Sequence, residues 1–145
     1  MRACTRLLLT MLLPVGLAGT AHAQDISPGM WEILVVARVP ADPGFAPEPF
    51  KANQCLTAQD ARDPARLLGG LATPGATGCT YGDSTRTGGT MRFSMQCAGT
   101  LNLRAQGEVN FTPDTISGTI NTTSDLAGQK VEMQSRVAAR RVGGC

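Results

Sequence analysis

The 145-residue sequence has one histidine, one tryptophan, one tyrosine and four phenylalanines, and only 17% of its residues are charged. The missing histidine decides most. His22 lies in a leader where Met1 to Arg6 carries two arginines, Leu7 to Ala18 is mostly apolar, and Ala21-His22-Ala23 supplies a small-x-small end. A basic start, an apolar run shorter than the roughly 20 residues that span a bilayer, and a small-residue cut site form the signature of a cleaved secretory signal. Residues 1–23 are therefore expected to leave after Ala23, with residues 24–145 as a single domain. Cys4 precedes the apolar run, which argues against a lipid anchor, and no transmembrane segment is expected in the mature chain.

A mature chain without histidine cannot build Ser-His-Asp or Cys-His catalysis, or a His-ligated metal site. Of the 13 Lys and Arg, Arg2 and Arg6 leave with the signal, so 11 remain against 11 Asp and Glu, all of them after position 24. That neutral balance gives no electrostatic footprint for nucleic acid or an anionic membrane. No C-x-x-C pair is present either, which argues against zinc. Cys55, Cys79, Cys97 and Cys145 are an even set in an exported chain, and such sets form disulfides. Spacing permits three pairings. The favoured pairs are Cys55 with Cys79, closing a helical excursion, and Cys97 with Cys145, tying the last residue to a central strand.

What the chain does contain is alternation. Trp31, Ile33, Val35, Ala37 and Val39 share one face of a first strand, closed by Pro40. Pro40 to Gln54 carries four prolines and reads as a loop. Thr57 to Asp60 has the spacing of a capping box, and Asp63-Pro64 repeats the start signal, so two short helical turns are expected to end near Leu68. Gly69-Gly70 to Thr77-Gly78 reads as a flexible linker without phosphate-loop spacing.

Cys79 to Thr85 and Thr90 to Cys97 form a hairpin in which Met91, Phe93, Met95 and Cys97 oppose Arg92, Ser94 and Gln96. Leu101 to Phe111 keeps the same period, with Gly107 marking a bend or bulge. Ile116 to Ile120 and Val131 to Ala139 complete the pattern, and Arg140-Arg141 reads as a solvated strand end. One buried face throughout means a mainly β fold: a curved antiparallel meander, as an open or closed small barrel or alternatively a sandwich. One or two short helical turns would lie between its first and second strands, too few to cover the apolar face.

Four segments carry a resemblance: Pro28-Gly29-Met30-Trp31-Glu32, Gln54-Cys55-Leu56-Thr57-Ala58-Gln59-Asp60, Ser94-Met95-Gln96-Cys97 and Arg141-Val142-Gly143-Gly144-Cys145. In this order they resemble the bacterial secreted family catalogued as domain of unknown function 3617. The resemblance spans the mature chain and implies a Gram-negative cell-envelope protein, periplasmic or secreted. It implies no activity and no site residues. This chain departs from the family in carrying less methionine in its strands and proline-rich excursion.

The candidate chemistry is sparse. Met91, Met95 and Met133, with Met30, could offer thioethers to Cu(I), but methionine as core filler is the stronger reading. Glu32, Glu108 and Glu132 fall on polar strand faces, where solvated acids explain them better than a hydrolytic pair. Asn110-Phe111-Thr112 and Asn121-Thr122-Thr123 match a glycosylation pattern but read as ordinary strand residues. The expectation is a non-catalytic binding or interaction module without a cofactor, offering an apolar concave sheet face to a small hydrophobic ligand or an envelope protein. The alternative is a Met-based Cu(I)-binding or envelope stress-protection protein.

Overall fold

The computed structural model describes residues 25–72, 76–99 and 102–145. The leader read at residues 1–23, part of the glycine-rich stretch (73–75) and Leu101 lie outside the described residues.

Alternation of Trp31, Ile33 and Val35 with Glu32, Leu34 and Val36 produces β1 (Gly29–Arg38). The other strands are β2 (Phe50–Leu56), β3 (Cys79–Thr87), β4 (Thr90–Cys97), β5 (Leu103–Phe111), β6 (Thr115–Leu126) and β7 (Gln129–Gly143). They make one antiparallel sheet in the order β2-β1-β7-β6-β5-β4-β3. From β3 to β7 each strand pairs with the next in sequence, as a meander requires. β1 then docks on β7, so β2 and β3 are the edges of a sheet that does not close.

The inner face is continuous across these strands. Val35, Val137, Gly118, Val109 and Met91 stand in one cross-strand row. Trp31 and Ile120 are both 0% exposed, and Ile33, Phe93, Phe111 and Ile116 join the same core. Burying each such side chain contributes on the order of 1.5–3 kcal/mol.

Two helices connect β2 to β3: α1 (Ala58–Arg62) and α2 (Pro64–Ala72). The capping box forms as its spacing predicts. Thr57 Oγ1 accepts from the Asp60 backbone N–H at 3.2 Å, and Asp60 Oδ2 accepts from the Thr57 N–H at 2.9 Å. Ala61, Ala65 and Leu68 bury their side chains in the sheet's core cluster, so the helices do cover part of the apolar face.

Removing the cap hydroxyl with Thr57→Ala is expected to cost about 1 kcal/mol in urea denaturation. The Asp60 carboxyl is held below its ordinary value, chiefly by the Thr57 backbone N–H and then by the Thr57 hydroxyl. The folded state therefore binds this proton less readily than the unfolded chain. The contribution is complete above the ordinary aspartate range and is lost as pH falls through the lower folded value. An acid titration of Thr57→Ala should show that component reduced.

Four expectations need correction. The stretch up to Gln54 is not all loop: Phe50–Leu56 pairs along β1, from Val35 opposite Phe50 to Gly29 opposite Leu56. Gln54 interrupts the period of Phe50, Ala52 and Leu56 in this edge strand, and pairing with β1 overrides local composition. The helices therefore follow the second strand, not the first. Helix α2 also runs through Gly69-Gly70 to Ala72. A Cβ at Gly69 would lie 2.9 Å from the Met95 sulfur and 3.2 Å from the Tyr81 ring, so glycine permits the helix to rest on β3 and β4. Gly107, finally, marks no bulge, since its pairings to β4 and β6 are regular. The Phe93 ring occupies the space a side chain there would need. The register shifts lie instead between Tyr81 and Ser84 and between Met30 and Trp31.

Two hydroxyls, Thr122 Oγ1 and Ser135 Oγ, are buried on the inner face without a hydrogen-bond partner among the described residues. An unsatisfied buried polar group costs about 1–3 kcal/mol. Thr122→Val keeps the shape and removes that cost, so it is expected to raise stability by about 1 kcal/mol in denaturant melts.

Candidate functional site

Three of the four signature segments meet at one corner of the sheet, while Ser94 to Cys97 lies apart in β4. Trp31 lies opposite Gln54 on one side and Arg141 on the other, and Met30 lies between Cys55 and Gly143. The Trp31 indole N–H donates to Ser27 O at 3.1 Å, and Arg141 Nε donates to Pro28 O at 2.9 Å. Arg140 reaches the Glu32 carboxylate at 2.6 Å. Gly29 has φ of 143°, and the Gly143 carbonyl and Arg141 side chain fill the space where its Cβ would stand. These three segments thus hold β2, β1 and β7 together. This corner is a clasp, and its chemistry is that of hydrogen bonds, ion pairs and a disulfide.

The disulfides are Cys55–Cys145 and Cys79–Cys97, which overturns the favoured pairing of Cys55 with Cys79 and Cys97 with Cys145. Cys55 lies in β2, one strand away from the end of β7, so the terminal cysteine crosses β1 to reach it. Cys79 and Cys97 face each other at the open end of the β3–β4 hairpin. Two signals were available. Counting back from the Thr87–Thr90 turn brings Cys79 within one residue of Cys97, and the bulge makes up the difference. For Cys55, only recognition of β2 would have sufficed.

The methionine candidates do not converge. Met91 and Met95 are 2% and 3% exposed, and Phe93 stands between them on β4. Met133 shares a row with Thr122, Ala105 and Met95, three strand spacings, or roughly 14 Å along the sheet, from Met95. Met30 falls on the opposite face to Trp31, next to the clasp. No group of three or more His, Cys, Asp or Glu gathers as a metal cage among the described residues.

The acids stay on the outer face, where their strand positions put them. Glu32 is engaged by Arg140, and Arg92 Nε lies 2.7 Å from Glu108 Oε2. Glu132 is exposed on β7. Asp83 and Glu108 do share a polar groove of about 510 Å³, together with Thr85, Ser94, Gln106, Thr119 and Asn121. Asp83 is exposed and the Glu108 side chain is 52% exposed. Neither has the apolar surroundings that a proton-donating carboxyl uses. Asn110 and Asn121 accept hydrogen bonds from Thr90 and Gln134, within strands β5 and β6.

A second groove, of about 640 Å³, was not visible in the sequence. It crosses β2, β1 and β7 on the outer face and is lined by Glu32, Leu34, Lys51, Asn53, Ala138 and Arg140, with the backbone of Ile33, Ala52 and Ala139 beneath. Lys51, Leu34 and Ala138 form one cross-strand row. The groove exists because Leu34 and Ala138 are shorter than the Lys51 and Arg140 side chains that flank them. Its volume lies in the range of small-molecule sites.

No helix among the described residues is long and apolar enough to cross a membrane. No curated protein matches the chain, and no solved structure does. A family model described as "Protein of unknown function (DUF3617)" matches residues 26–145, and the chain belongs to that family.

Proposed function

We propose that this protein is an exported, non-catalytic binding module whose working surface is the outer groove across β2, β1 and β7. One observation carries the reading: the inner face is consumed by the core, while the groove presents Leu34 and Ala138 to solvent beside charged side chains. Trp31, Phe93, Met91 and Met95, expected to line an apolar hollow, are 0–4% exposed and pack together. Binding therefore moves to the other side of the sheet. Export is supported by the leader's composition and by two disulfides, which persist in oxidising compartments. The absence of histidine from residues 24–145 supports a role without histidine-dependent catalysis.

A benzophenone side chain placed at position 53, an exposed residue on the groove's wall, and irradiated in cells that make the protein, tests this reading. It should give a discrete adduct absent when the same group replaces Gln96, an exposed residue of β4. No adduct at 53, or the same adduct from both positions, would contradict it.

A further inference from the structure

We infer that the outer groove takes an amphiphilic carboxylate, a molecule with a compact apolar body and one anionic group. The inference rests on the groove being the binding surface, and deepens that reading by naming the ligand's chemistry. The 11 cations and 11 acids of residues 24–145 balance in number but not in place. On the outer face of β2, β1 and β7 stand Arg38, Lys51, Arg136 and Arg140 against Glu32 and, further along β7, Glu132. Glu32 is taken up by Arg140 through a contact of 2.6 Å. Arg38 donates to the Gln134 side-chain oxygen at 2.8 Å. Lys51 and Arg136 have no ion-pair partner among the described residues.

Position then selects the ligand. Lys51 stands directly across from Leu34, and Leu34 directly across from Ala138. An ammonium group therefore borders an apolar floor, with the Glu32–Arg140 pair and Asn53 forming one wall. An apolar body on Leu34 and Ala138 would set its anionic end beside Lys51, where a charge-assisted hydrogen bond replaces water. A purely apolar molecule would leave the ammonium uncompensated, and a cation would face Lys51.

Calorimetric titration of the whole mature protein with decanoate, decanol and decyltrimethylammonium, each as monomer, tests this. Decanoate should bind roughly tenfold more tightly than decanol, with the cation weakest. Lys51→Gln should erase the difference between decanoate and decanol, and Ala138→Gln, which fills the floor from an exposed position, should weaken both about tenfold. If decanol matches decanoate in the native protein while Ala138→Gln weakens both, the groove stands and the carboxylate inference falls. If decanoate does not bind, or binds equally to Ala138→Gln, the groove reading falls with it. If decanoate binds only as part of a phosphatidylcholine vesicle, the inference of a free ligand is overturned.

Discussion

Replacing Trp31 by alanine is expected to remove about 3–5 kcal/mol of stability, the range for deleting a fully buried aromatic side chain. Trp31 is 0% exposed, donates to Ser27 O at 3.1 Å, and lies between β2 and β7 in the clasp. Its loss opens a cavity where three strands meet and frees the segment before β1. Domains of this size have only about 5–15 kcal/mol in total, so the variant should melt at far lower urea and expose the clasp strands first to hydrogen exchange. A loss near 1 kcal/mol would mean that Trp31 does not hold this corner.

Removing the Cys55–Cys145 bridge should cost more than removing the other one. The bridge closes 90 residues of sequence, and Cys79–Cys97 closes 18. Loop-closure entropy then gives about 4–5 kcal/mol for the first and about 3 kcal/mol for the second. The first also fastens β7 across β1 to the edge strand β2, whereas the second joins neighbours already paired in the sheet. Equilibrium denaturation of Cys55→Ser/Cys145→Ser beside Cys79→Ser/Cys97→Ser measures the difference. A larger loss from the shorter bridge would contradict the clasp's role.

The alternating faces made most of this fold legible in sequence. Met91, Phe93, Met95 and Cys97 are all buried, and Leu103 to Phe111 alternates without interruption. The capping box at Thr57 and Asp60 was equally plain, because its signal is local. What escaped depended on contacts distant in sequence. β2 has a broken apolar period after a proline-rich stretch and exists because β1 pairs with it, and without β2 the partner of Cys55 could not be inferred. Gly107 looked like a bend because a glycine signals space, not which ring fills it. The groove draws on residues 32–34, 51–53 and 138–140, which share no motif and meet only through the β2-β1-β7 order. The cluster of Arg38, Lys51, Arg136 and Arg140 around the groove was likewise hidden by a neutral total.

An amide and indole chemical-shift titration of the labelled protein with decanoate separates the two sides of the sheet in one measurement. Binding at the outer groove predicts progressive shifts at Leu34, Lys51, Ala138 and Arg140, with the Trp31 indole N–H unmoved. Shifts centred on the Trp31 indole, Phe93 and Met95, with Lys51 and Ala138 silent, would place the ligand in the core and contradict the account.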